Sequence, residues 1–351
     1  MAKIDRLFDK MLACGASDLH LLQGQPPKVR EHGSMVCLEG EPPIDEMAMV
    51  GYLKEICEPE RWVEFLDSKD LDFAYEKDEK ARFRANYYGH LHGIAAVFRV
   101  IPTKILTLED LHLPPVLKEL ASLRSGLVLV TGPTGSGKST TLAAMIDYIN
   151  SHYARYILTI EEPIEFVHPN RKSTFCQREV GCDVPSFGAG LHTACRQDCD
   201  VILVGEMRDY ETISLALSAA AMGTLVFGTL HTNSAVKTID RIIDVFPSDQ
   251  QGAARTMLAD TLRGIVAQLL LKKEGGGRIA ANEILLGGTG LSASIRENNI
   301  SNIRNIIQGG KSQGMQLMDD VLADYRSREL ISAEEAYLKA QDKNRFVPKE
   351  S

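Results

Sequence analysis

A chain of 351 residues, 44% hydrophobic and 25% charged, has the composition of a folded protein with room for two domains. Disorder is excluded, and so is collagen-like repetition, because the 28 glycines follow no fixed period. Thirty-nine Lys and Arg against 47 Asp and Glu leave a net charge of −8, which disfavours nucleic acid as a partner. Aromatic residues make up 6%, with Trp62 the sole tryptophan, which argues against rows of base-stacking platforms.

The first hundred residues read as a mixed α+β unit. Ile4, Leu7, Phe8, Met11 and Leu12 form one apolar helix stripe that Gly15 is placed to stop. Residues 17–21 then alternate as a strand. Residues 81–87 and 93–99 read as two further strands joined through Tyr88, Gly89 and His90, with Arg82 and Arg84 on one face and Phe83 on the other. Prolines at 102, 114 and 115 mark a boundary, since they interrupt helix and central strand alike. The expected division is 1–102, a linker at 103–116, and 117–351.

Beyond residue 117 the pattern becomes β/α. Strands are predicted at 126–131, 156–160, 201–205, 225–229 and 279–286. Runs such as LVLV and VILV, apolar at every position, suit strands buried on both faces of a parallel sheet. The uncharged stretch 212–230 reads as an Ala-rich helix entering a buried strand, not as a membrane span. Ser332 and Glu335 form a capping box for a last helix. The charged start, MAKIDRLFDKML, lacks the apolar core of a secretory signal. The seven cysteines include no C-x-x-C pair and read as reduced, mostly packed thiols. These features point to the cytosol, or to the cytosolic side of a membrane complex.

Gly132-Pro133-Thr134-Gly135-Ser136-Gly137-Lys138-Ser139-Thr140 carries the phosphate-loop pattern between a predicted strand and helix. Glycines let backbone N–H groups curl around phosphates at a helix N-terminus. Lys138 then reaches the β/γ oxygens, and the Ser139 hydroxyl ligates Mg²⁺. The apolar strand 201–205 leads to Glu206, a carboxylate positioned for Mg²⁺ or its water shell. Glu161, Glu162 and Glu165 cluster after the preceding strand, where water activation needs a base; the residues alone do not choose between Glu162 and Glu165. His231 follows a further strand, within range of a γ-phosphate.

Together these segments resemble the secretion ATPases of the type II/type IV pilus superfamily, in particular the pilus retraction (twitching motility) ATPases of the PilT type. The strings that carry the resemblance are residues 16–21, 82–86, 97–102, the phosphate loop, 160–168, 204–209, 228–232 and 237–247. The resemblance implies a PAS-like α+β N-terminal domain followed by a RecA-like ATPase domain with C-terminal helices, in a six-membered ring. It also implies ATP and Mg²⁺ as ligands, Glu165 as the catalytic carboxylate, Glu206 as the Walker B acid and His231 as the His-box contact. Arg82, Arg84 and Arg99 match N-terminal-domain arginines that reach the nucleotide of a neighbour.

The function so implied is hydrolysis of ATP to drive pilin disassembly, at the inner-membrane base of a pilus and against a membrane platform protein. The alternatives are an accessory or regulatory retraction paralogue with little hydrolysis of its own, or a pilus-assembly or type II secretion ATPase; a paralogous pilus ATPase is a further expected partner. Assembly and type II secretion ATPases of the superfamily generally carry a tetracysteine zinc motif that this chain does not show. Glu162 stands where the family usually has Asp, and residues 302–310 depart from its pattern, which leaves the principal or accessory role open.

Overall fold

The structure, a computed structural model, describes residues 2–31, 34–78, 81–101 and 104–347. The chain divides into two compact units, Met1–Lys104 with Glu162–Val167, and Ile105–Glu161 with His168–Ser351. The expected boundary residues Pro102 and Thr103 lie outside the described residues.

In the first unit six strands, β1 (Asp18–Leu22), β2 (Lys28–Glu31), β3 (Ser34–Cys37), β4 (Asp70–Asp78), β5 (Ala81–His90) and β6 (Gly93–Ile101), form a sheet of order β3-β2-β1-β6-β5-β4. Every pairing is antiparallel. Strict alternation sorts β5: Ala81, Phe83, Ala85 and Tyr87 enter the core, while Arg82, Arg84 and Asn86 take the other face. The helices Asp5–Ala13, Glu46–Glu55 and Pro59–Ser68 supply Leu7, Phe8, Met49, Leu53, Trp62 and Phe65 to the same core. Leu12, read as part of the first helix's buried stripe, is exposed. The connection between β5 and β6 also differs from expectation. Tyr88, Gly89 and His90 continue the ladder opposite Ala95, Ile94 and Gly93, and the turn falls at Leu91-His92.

The second unit holds β7 (Gly126–Thr131), β8 (Tyr156–Glu161), β9 (Thr174–Glu179), β10 (Val201–Val204), β11 (Leu225–Leu230), β12 (Leu262–Lys272) and β13 (Arg278–Leu286). Their order is β13-β12-β7-β11-β10-β8-β9, parallel throughout except where β13 pairs with β12. Both faces are buried. Leu127, Leu129, Ile202 and Val204 pack with the helices Tyr210–Ala221 and Ala235–Asp244, whereas Val128, Val130, Val201 and Leu203 pack with Lys138–His152. Each such side chain contributes about 1.5–3 kcal/mol by leaving water, which is why these strands need no polar face. Ser332 Oγ accepts the Glu335 N–H at 3.0 Å, closing the start of the last α-helix. No helix among the described residues is long and apolar enough to cross a membrane.

The cysteines are free, but the expectation that most are packed fails. Cys14, Cys37, Cys182 and Cys195 are exposed and only Cys57 is buried. The exposed ones sit at helix ends, on an edge strand and in a turn, positions that a small apolar side chain does not need to fill.

Phe8 is fully buried, stacked on Phe83 with centroids 4.1 Å apart and edge-on to Phe98 at 5.0 Å. Phe8→Ala should therefore cost about 3–5 kcal/mol of the first unit's stability. Denaturant unfolding followed by Trp62 fluorescence checks this, because Trp62 lies in the same core.

Candidate functional site

The carboxyl ends of four adjacent parallel strands carry the residues singled out by sequence. Register aligns them: Thr131 of β7 lies beside Leu230 of β11, and Val204 of β10 beside Gly228 of β11 and Ile160 of β8. The phosphate loop leaves β7, His231 follows β11, Glu206 follows β10, and Glu161 ends β8.

The loop residues Pro133, Thr134 and Gly135 are exposed, Gly132 and Ser136 are buried, and the helix Lys138–His152 begins directly after them. Gly132 has φ +149°, and a Cβ there would sit 2.3 Å from the Gln268 carbonyl oxygen. Only glycine lets the chain turn this close to β12. Lys138 Nζ donates to the carbonyls of Gly132 at 2.8 Å and Pro133 at 3.1 Å, so its charge lies across the loop's own mouth. The buried Ser136 hydroxyl has no hydrogen-bond partner among the described residues. Such an orphaned polar atom inside a loop of backbone donors at a helix start fits a phosphate-bearing ligand.

Beyond β10 the chain doubles back under β11. A Cβ on Gly228 would lie 2.2 Å from the Met207 sulfur, so the absent side chain is what admits the 205–208 turn. Met207 N–H donates to the Thr229 carbonyl at 3.0 Å and fixes that turn. Glu206 is thereby brought against His231, whose Nε2 stands 2.9 Å from its Oε1. Arg208 grips the same carboxylate in a bidentate pair. Burial pushes the Glu206 carboxyl up, but the Arg208 hydrogen bond and the nearby charges of His231 and Arg208 outweigh it, so its pKa lies below the usual glutamate range. Glu206 is ionised at neutral pH.

At the end of β8, Glu161 accepts from Thr159 Oγ1 at 2.6 Å and from Gln177 Nε2 at 3.1 Å. Gln177 Oε1 in turn accepts the His168 N–H at 2.8 Å. One side chain on β9 thus ties together the two flanks of segment 162–167, in which Glu162 is exposed and Glu165 half-buried. Buried His168 stacks on Phe175 at 4.7 Å, and burial lowers its pKa to about 4, so it stays neutral.

In the first unit, Arg84 and Arg99 stand directly opposite each other on β5 and β6, with Arg82 two residues along the same face. Like charges so placed repel, and each has its own carboxylate: Arg82 with Glu76 at 3.1 Å, Arg84 with Asp72 at 3.5 Å, and Arg99 with Asp18 at 2.8 Å.

For a metal, the available donors are hard oxygens: the Ser139 hydroxyl, exposed in the first helical turn, and the Glu206 carboxylate. Among the described residues no group of three or more His, Cys, Asp or Glu is arranged to hold a metal by itself. One hydroxyl and one carboxylate fit an ion such as Mg²⁺, which takes its remaining ligands from phosphates and water.

Three residues of this region escaped the sequence reading: Arg208, Gln177 and Gln268. Arg208 belongs to the 204–209 string, where its spacing two residues from Glu206 was a usable signal. The two glutamines lie on strands that sequence did not foresee.

A glycine-rich loop between a buried parallel strand and a helix, with an ionised carboxylate and an imidazole at the neighbouring strand ends, defines a RecA-like phosphate-loop protein. The chain belongs to the family described as Type II/IV secretion system protein, which it matches over residues 2–345. It is 47% identical over 332 residues to the type IV pilus retraction ATPase PilT of Pseudomonas aeruginosa, covering 95% of this chain and 96% of that one. It is 46% identical over 317 residues to a twitching motility protein of Neisseria gonorrhoeae, covering 90% and 84%. Its fold matches the crystal structure of the pilus retraction motor PilT with bound ADP at a TM-score of 0.91 and 40% identity, over 98% of both chains.

If Gln177 serves to hold the flanks of segment 162–167, Gln177→Ala should lower ATP turnover by about tenfold while leaving ADP affinity within about twofold, a loss in kcat with little change in KM. Phosphate-release kinetics and an ADP titration check the split.

Proposed function

We propose that this chain is a Mg²⁺-dependent ATPase motor for type IV pilus retraction. It works as a six-subunit ring at the cytoplasmic side of the inner membrane, against a platform protein at the pilus base. The observation that carries this reading is the end-to-end identity of 47% to a pilus retraction ATPase, combined with an intact phosphate loop. In this reading a PAS-like domain runs to residue 102 and an ATPase domain starts at 117, joined by 103–116.

In this reading the loop 132–140 holds the ATP phosphates, and Lys138 neutralises the β/γ oxygens. Ser139 and Glu206 would hold Mg²⁺, which when bound would supply charge neutralisation at the phosphates. Glu165 takes the proton of the attacking water. Glu162 stays the weaker candidate because family resemblance favours Glu165. His231, hydrogen-bonded to Glu206, relates the carboxylate to the γ-phosphate. Arg82, Arg84 and Arg99 act on the site of the neighbouring subunit, where an arginine of this kind is worth about 10³–10⁵ in rate. Partnership with a paralogous pilus ATPase is compatible with the same chemistry.

The test begins with phosphate release by the purified chain. Lys138→Ala should retain less than about a tenth of wild-type turnover. Glu165→Gln should bind ATP without turning it over, because the amide keeps the shape and loses the base. If Glu162→Gln is dead and Glu165→Gln active, the base is misassigned. A wild-type chain that binds ATP and does not hydrolyse it is an accessory subunit, not the motor.

The arginines have their own test. Mixing Lys138→Ala protein with the Arg82→Ala, Arg84→Ala, Arg99→Ala triple variant should restore partial activity at interfaces that pair an intact loop with intact arginines. Wild-type turnover by the triple variant alone would remove them from the mechanism.

A further inference from the structure

Gln268 lies in the middle of β12, 2% exposed, in a strand otherwise lined with Ile265, Val266, Ala267 and Leu271. A buried amide is costly unless its groups are paired. Here the pairing is directed at one place. Gln268 Nε2 donates to the Ser136 carbonyl of the phosphate loop at 2.7 Å. Its Oε1 accepts from Thr141 Oγ1, one turn into the following helix, at 2.8 Å, and from Asn282 Nδ2, directly across on β13, at 2.9 Å. Thr141 and Asn282 are themselves buried. The backbone of the same residue completes the support, because its carbonyl oxygen is the atom against which Gly132 turns.

The geometry of the peptide unit gives these bonds a consequence. In a planar trans peptide the C=O and the following N–H point in opposite directions. Holding the Ser136 carbonyl down towards β12 therefore holds the Gly137 N–H away from β12, on the side where a phosphate-binding loop presents its donors. A valine or leucine at 268 would pack more cheaply and would leave that peptide free to rotate.

We propose that Gln268 is a positioning residue for nucleotide phosphate binding: it sets the Ser136–Gly137 peptide and couples it to the helix through Thr141 and to β13 through Asn282. The link extends further, since Gln316 Nε2 donates to the Asn282 carbonyl at 2.7 Å. This inference rests on the nucleotide-binding reading of the loop. It goes beyond that reading by assigning part of the affinity to a side chain outside the motif.

The test uses the full chain and a fluorescent ADP analogue, N-methylanthraniloyl-ADP, with melting temperature recorded for every variant. Wild-type binding tests the nucleotide reading; the ratio of variant to wild type tests Gln268. Gln268→Met keeps the length and loses the amide. It should raise the ADP Kd and the KM for ATP about tenfold and lower kcat by less than about threefold, the pattern of lost uniform binding. Gln268→Glu separates positioning from packing. As a carboxylate it repels the Ser136 carbonyl, whereas as a carboxylic acid it can again donate to Ser136 and accept from Thr141 and Asn282.

None of the side chains hydrogen-bonded to residue 268 titrates, and the loop's charged group, Lys138, is held on Gly132 and Pro133. The Kd ratio of Gln268→Glu to wild type should therefore shrink about fivefold as the introduced carboxyl goes from ionised to protonated, its titration followed by ¹³C NMR of the labelled side chain. A folded Gln268→Met protein that binds the analogue within about twofold of wild type overturns the proposal. So does a folded Gln268→Glu protein whose ratio does not change across the titration of its introduced carboxyl, and this second arm decides the matter if the Met variant does not fold.

Discussion

Parallel strands need crossover connections, and in the second unit this constraint puts the carboxyl ends of β7, β11, β10 and β8 side by side. Because Thr131 is in register with Leu230, and Val204 with Gly228 and Ile160, each loop leaving these strands starts about one strand spacing from the next. Neither the phosphate loop nor Glu206 nor His231 has to be carried to its place by a long, flexible segment. The apolar interior that fixes the register thus also fixes the relative positions of the polar groups. A slip of one residue would turn Val204 and Leu129 out of their shared core and move Glu206 away from His231.

The polar groups at that edge are held in a graded way. Glu206 is held by Arg208 and His231, Glu161 accepts from Thr159 and Gln177, and Glu165 accepts no side-chain hydrogen bond among the described residues. That ordering suits the separate tasks proposed for Glu206 and Glu165. A metal-facing carboxylate works when ionised and fixed in direction, whereas a base must exchange its proton with water.

Legibility in the sequence followed burial. β7, β8, β10 and β11 were readable because strands buried on both faces are mostly apolar along their length, β13 because apolar residues flank Asn282 and Glu283, and the phosphate loop because its spacing is nearly unique to its chemistry. β9, with its TFCQRE sequence, is an edge strand with mostly half-buried side chains, and its composition resembles a loop. β12 follows the helix Gln251–Thr261 with no glycine or proline between them, so nothing punctuates the change from helix to strand. β2 and β3 are four residues each, and every residue of β3 is exposed. The supporting glutamines were hidden for the same reason as their strands. A lone Gln at 177 or 268 has no pattern until the fold shows what faces it. The family resemblance favours Glu165 over Glu162, a choice that charge and spacing leave open.

The three arginines on the first sheet each already hold a carboxylate: Glu76, Asp72 and Asp18. In the role proposed for them, meeting an anion would be an exchange of partners, not a first encounter. Three negative side chains are released whenever the arginines turn away, and those chains remain tethered nearby as internal competitors at high local concentration. The net gain on engaging a phosphate is then a difference between two ion pairings, far smaller than either. A contact built this way lets go readily once the anion's charge falls or the anion leaves. That property matters more in a machine that must cycle than in one that must hold.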